Sequence, residues 1–298
     1  MKHYSTLIKT LTFCLSFFFN YAIVNAQNIS QKDMSNRFLY AAYMMGQEKY
    51  SIVDQVLNSI QSKYHLSSEG LDSLYYLLGF SKLYQKDLDL SQKYLMKISN
   101  KSSNYIKSRL YSAYINTYLG ILDQSNSILN QLEINTDEEK EIVNFNKSVN
   151  SLLASDTVAF NQYAKNYSYQ YFFLKEPEKI MMKMKDTLSL FKPKSYFAAG
   201  FLSAMVPGLG KFYTRRPGEG LSTFFINAIL IAMFMEKLEK AGPKKPGTYI
   251  TGALLSVFYI GNIYGSVISV KTYRDEFETI RKNKILFNLH IPLRNFYD

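Results

Sequence analysis

The sequence predicts an all-α protein: a solenoid of helical hairpins, then a transmembrane helical hairpin with a short re-entrant or interfacial helix. Three observations predict it. Pairs of helix-period segments recur every 34–38 residues between residues 31 and 135. Two long runs near the C-terminus carry no charge. Between the apolar runs lies "PGLGKFYTRRPGEG" (207–220), dense in residues that break helices.

The chain has 298 residues, room for two domains. Residues 1–26 have the order of a secretory signal: a basic start, the apolar "LTFCLSFFFNYAIV", and the small-residue ending "VNA" before Gln27. Cys14 is the only cysteine and leaves with that segment, so neither disulfides nor thiolate metal sites are expected in the mature chain. His65 and His290 lie far apart, and no metal-ligand spacing is present.

Charge is unevenly spread. Residues 27–190 hold 18 Lys/Arg against 17 Asp/Glu, whereas 191–298 hold 15 against 7. The overall +11 is therefore no nucleic-acid footprint of the whole chain. The excess sits beside the most apolar segments, where it suits anionic lipid headgroups.

A helical repeat domain is expected over 27–190. "FLYAAYMMGQEKYSIVDQVLNSI", "LYYLLGFSKLYQKDLDLSQKYLMKI" and "RLYSAYINTYLGILDQSNSILNQL" align. Small residues fall at Ala41, Gly79 and Ala113 on the first helices, and Val53, Ser91 and Ser125 follow twelve residues later. A fourth copy continues at Ala159. Small residues let paired helices approach, while apolar residues three and four further on fill the seam to the next hairpin. Stacking buries what one hairpin cannot. The period and the "DLDLS" turn resemble the tetratricopeptide (TPR) repeat, which implies a peptide- or protein-binding surface. "EPEKIMMKMKDTLSLF" (176–191) predicts one more amphipathic helix, with Met181, Met182 and Met184 as core filling.

The membrane domain is expected over 191–275, with spans at 220–235 and 248–270 and a shorter apolar helix at 195–209. Backbone outside regular structure cannot face lipid, so the breakers Pro207, Gly208, Gly210, Pro217, Gly218 and Gly220 must lie at the interface or inside protein. Tyr213 is expected as an interface anchor, and Lys211, Arg215 and Arg216 as contacts to anionic headgroups. This stretch resembles the P-G-x-G-x-x-Y signature of small bacterial two-helix membrane domains. It matches at Pro207, Gly208, Gly210, Tyr213 and Gly218, with Lys211 where glutamine is usual. The order of segments resembles envelope proteins of the Bacteroidetes group.

Gly261 and Gly265 form a small-xxx-small pair, for packing within the hairpin or between two copies of the chain. Asn227 and Asn262 are the side-chain amides of the spans and are expected to bond across the hairpin. Residues 276–298 form a basic tail whose "ILFNLHIPL" ending suits either a strand or a lipid-facing anchor.

No nucleophile–base pair, paired carboxylates or phosphate loop stands out, so no enzyme and no cofactor is expected. The expectation is a membrane-anchored interaction or scaffold module of the bacterial envelope. Its repeats would lie in the periplasm and bind a partner protein, and the hairpin would sit in the inner membrane. The alternative is an accessory factor for insertion, secretion or lipid remodelling whose active part is the Pro/Gly hairpin.

Overall fold

A turn of one geometry recurs along the first part of the chain and sets its architecture. The computed structural model describes residues 31–297, so the signal segment read at 1–26 lies outside the described residues. Helix α1 covers 31–46. It is followed by α2 (Tyr50–Lys63), α3 (Ser68–Tyr84), α4 (Leu88–Leu95), α5 (Tyr105–Leu119), α6 (Leu122–Asn130), α7 (Asp137–Leu153) and α8 (Thr157–Ala164). Within each pair one residue of the turn adopts the left-handed conformation: Glu48, Lys86, Gly120 and Ser155. The next residue's N–H then bonds back five residues, as in Asp87 to Lys82 O (2.9 Å) and Ile121 to Asn116 O (2.8 Å). This closure satisfies carbonyls that a helix end leaves free.

The compact units divide at Asn150/Ser151. In the first, α2 packs on α3, α3 on α4, α4 on α5 and α5 on α6. The repeat positions do what their size permits. Ala41, Val53, Ser91, Ala113 and Ser125 are fully buried. Gly79 meets α4 so closely that a Cβ there would lie 2.6 Å from Leu95 Cδ2, and its carbonyl accepts a hydrogen bond from Ser91 Oγ (2.8 Å). Arg109 caps the end of α4, donating to Leu95 O, Met96 O and Ile98 O. The acidic opening of α7 forms a capping box: Thr136 Oγ1 accepts from Glu139 N, and the Glu139 carboxylate accepts from Asn135 and Thr136 N.

The second unit holds α8, α9 (Phe172–Leu190), α10 (Tyr196–Met205), α11 (Leu209–Tyr213), α12 (Pro217–Ala241) and most of α13 (Pro246–Tyr297). Ala159 is only half-buried, while neighbouring Phe160 is fully buried. The second helices start at Leu88, Leu122 and Thr157, so the last interval is one residue longer and Phe160 takes the inward place. Helix α9 buries Met181 and Met184, as its amphipathic pattern implies.

Two expectations about segments need correction. The 195–209 segment is not one helix: α10 ends at Met205, Val206 is extended, Gly208 is left-handed, and α11 begins at Leu209. The expected spans lie inside α12 and α13, which extend past them at both ends. The strand option for the tail is overturned, because α13 continues without a break through 271–297. Its tail buries Ile285, Leu289 and Leu293 at four-residue intervals, a helical rather than an alternating pattern. The described residues contain no strand.

Helices α12 and α13 are long and apolar enough to cross a membrane. The most apolar window of α12 is only 6% buried and that of α13 22%, unlike core helices of a water-soluble fold. Phe197, Phe225, Ile229, Val257 and Ile260 are all more than half exposed. So much exposed apolar surface needs an apolar partner.

Candidate functional sites

The proline–glycine break is held in place by α13. Gly208 N donates to Asn262 Oδ1 (2.9 Å), and Asn262 Nδ2 donates to Ser203 O (2.9 Å). Ser203 and Ser266 share a hydrogen bond at 2.6 Å, and Gly210 N donates to Ser203 Oγ (2.9 Å). Thr214 and Ser269 are joined at 2.9 Å, and Tyr259 OH donates to Ala204 O. Backbone groups freed by the break are thus satisfied by side chains from a neighbouring helix, as an apolar environment demands.

These pairings also give the path of the chain. The end of α10 lies beside Tyr259–Ser266, and Arg274 donates to Lys194 O before its start, so α10 runs antiparallel to α13. The chain turns back at Val206–Gly208, and Thr214 reaches the level of Ser269. Segments α10 and α11 therefore form a tight helical hairpin packed against α13.

Most motif residues have a local reason. A Cβ on Gly208 would strike the Gly220 carbonyl, and one on Gly220 would lie 2.6 Å from the Phe212 ring. A Cβ on Gly210 would strike the Ala199 carbonyl and lie 2.7 Å from Ser266 Cβ. Pro217 opens α12 at a position whose N–H has no helical partner. Tyr213 is half-buried: its hydroxyl accepts from Ser195 N, and Lys194 Nζ lies 4.5 Å over its ring. Gly218 meets nothing within 4 Å.

Two expectations about the spans fail. Asn227 does not bond to Asn262; its amide donates to Thr223 O in its own helix, and its Oδ1 is buried without a partner. Asn262 is engaged by the α10–α11 hairpin, which sequence reasoning had not placed beside it. Nor do Gly261 and Gly265 form the seam between the spans. A Cβ on Gly261 would meet nothing within 4 Å, one on Gly265 would face the Lys211 stem, and one on Gly252 would lie 3.0 Å from the Phe234 ring.

Of the expected lipid-facing cations, Arg215 is exposed, whereas Arg216 pairs with Glu219 (2.8 Å) and Glu276. Lys211 lies deeper. Its ammonium donates to Thr223 Oγ1 (3.0 Å) at the end of a cavity of about 250 Å³ between α12 and α13. Thr223, Ile226, Asn227, Val257, Phe258, Gly261 and Asn262 complete its wall.

The repeats carry a second candidate site. Tyr50 stacks on Tyr84 (5.5 Å between ring centres), and Phe80 contacts Tyr76 and Tyr111, each at 4.7 Å. Tyr111, Tyr114 and Tyr118 continue the ladder. Lys107 Nζ lies 5.3 Å over the Phe80 ring. Tyr84 and Tyr118 are half exposed. Burial raises the Tyr114 pKa above the usual phenol value. Sequence reading missed this face. Its signal was the 34-residue offset relating Phe80 to Tyr114 and Tyr84 to Tyr118.

No group of three or more His, Cys, Asp or Glu side chains suited to a metal occurs among the described residues. Comparison with family models, curated proteins and solved structures gave no match.

Proposed function

We propose that this protein is a membrane-anchored interaction module of the bacterial cell envelope: the repeats bind a partner protein, and the α12–α13 hairpin fixes them at the inner membrane. The observation that carries the reading is the aromatic ladder on successive helical hairpins. Clustered tyrosines offer large, rigid, amphipathic contact area at small entropic cost, which is why such residues dominate binding hot spots. The exposed apolar surface of α10, α12 and α13 supports the anchor, and the signal-like start supports repeats on the periplasmic side.

The test is co-purification of the tagged full chain from its own envelope in mild detergent, with mass spectrometry, after alkaline extraction of the membranes. The chain is expected to stay with the membrane and retain a partner. A Tyr84→Ala/Tyr118→Ala variant is expected to stay with the membrane and lose that partner. Release of the unmodified chain by alkali would remove the anchor reading.

The alternative, in which the Pro/Gly hairpin itself acts on lipid or on an insertion machine, is favoured by one observation. A lysine lies in the groove between the two apolar helices, where an ionisable group is costly unless it serves a purpose.

A further inference from the structure

We propose that the groove between α12 and α13 is a phospholipid site selective for headgroups that offer a hydrogen-bond donor beside the phosphate. The inference rests on these helices lying in a bilayer. Two side chains at the polar end of the groove lack full satisfaction. Lys211 has three N–H groups, of which Thr223 takes one; its ion-pair partner Glu219 is 3.9 Å away, outside hydrogen-bond reach, and is shared with Arg216. Asn227 is 1% exposed, and its Oδ1 has no hydrogen-bond partner. A buried unpaired acceptor is costly and calls for a donor.

The groove therefore presents a cation with N–H groups to spare beside a distant, shared carboxylate, and an amide oxygen without a donor. Around them are the apolar side chains Ile226, Val257 and Phe258, which suit an acyl chain. Gly261, with nothing within 4 Å, leaves the floor open. Thr223 lies six residues into α12, about 9 Å along the helix from Pro217. The Arg216–Glu219 pair marks the rim at that helix start.

Phosphatidylethanolamine and phosphatidylglycerol satisfy both groups: the phosphate accepts from Lys211, and the ammonium or a glycerol hydroxyl donates to Asn227. Phosphatidylcholine brings the same phosphate and chains, but its trimethylammonium has no N–H. It leaves Asn227 unpaired. That difference is the basis of selectivity, because an unmet buried polar group discriminates more sharply than a missing apolar contact.

The test is native mass spectrometry of the full chain in detergent, titrated with the three lipids at matched acyl chains. One retained phosphatidylethanolamine or phosphatidylglycerol is expected at roughly tenfold lower concentration than phosphatidylcholine. Asn227→Leu is expected to erase the preference while phosphate binding persists, and Lys211→Met to weaken all three lipids. Melting by circular dichroism checks that the variants fold; should either fail, the headgroup series on the unmodified chain decides alone. Equal retention of phosphatidylcholine overturns the proposal, and so does a second copy of the chain held in place of lipid. A chain that resists alkaline extraction yet shows no headgroup preference sinks the groove and leaves the anchor standing.

Discussion

At the scale of single residues, four turns of the same geometry are made by four different amino acids. Glu48, Lys86 and Ser155 hold the left-handed conformation that Gly120 adopts without a Cβ penalty. Lys86→Gly is therefore expected to stabilise the repeats by about 0.5–1 kcal/mol, and Gly120→Ala to destabilise them by a similar amount. Thermal unfolding of both variants beside the parent checks the pair, and a fall on Lys86→Gly would contradict it. The membrane glycines split in the same way. Gly210→Ala forces a methyl into backbone and Ser266 and is expected to cost about 2–3 kcal/mol, read as a lower melting temperature in detergent. Gly261→Ala meets open space inside a helix and is expected to leave stability unchanged or raise it by about 0.5–1 kcal/mol. Had Gly261 packed between the spans, the second change would have been the damaging one.

At the scale of elements, the α10–α11 hairpin depends on Asn262. Its amide holds the Gly208 N–H and the Ser203 carbonyl, two groups with no helical partner at the break. Asn262→Leu is expected to free the tip: hydrogen exchange at Gly208 should rise by about tenfold or more, while α12 and the repeats keep their protection. An unchanged Gly208 amide would show that other contacts hold the break. Much of this element was legible beforehand. Pro207, Gly208 and Gly210 announced a break that had to be buried, and the apolar lengths announced two long helices. What could not be read was which side chains would satisfy the break. Asn227 and Asn262 looked alike as the amides of two spans, and only the antiparallel run of α10 beside α13 separates them. The repeats show the same limit. Small residues at Ala41, Gly79 and Ala113 could be found by period, because close approach allows few substitutes. The one-residue shift that buries Phe160 in place of Ala159 comes from one extra residue between the starts of α6 and α8, upstream of the turn, which has no signature of composition.

At the scale of the whole molecule, polar and apolar duties fall on different parts of the chain. Balanced charge and an aromatic face occur in the repeats; basic excess and exposed apolar surface occur from α10 onward. This division underlies the reading of an anchor joined to a recognition surface, and it yields separable variants. The most direct measurement is isotope-labelled co-purification from envelope membranes, comparing the full chain with Tyr84→Ala/Tyr118→Ala and with Lys211→Met. The account predicts that a partner protein is lost with the tyrosines and kept with Lys211→Met, all three chains remaining in the membrane fraction. A partner lost on Lys211→Met but kept without the tyrosines would contradict it and place recognition in the hairpin.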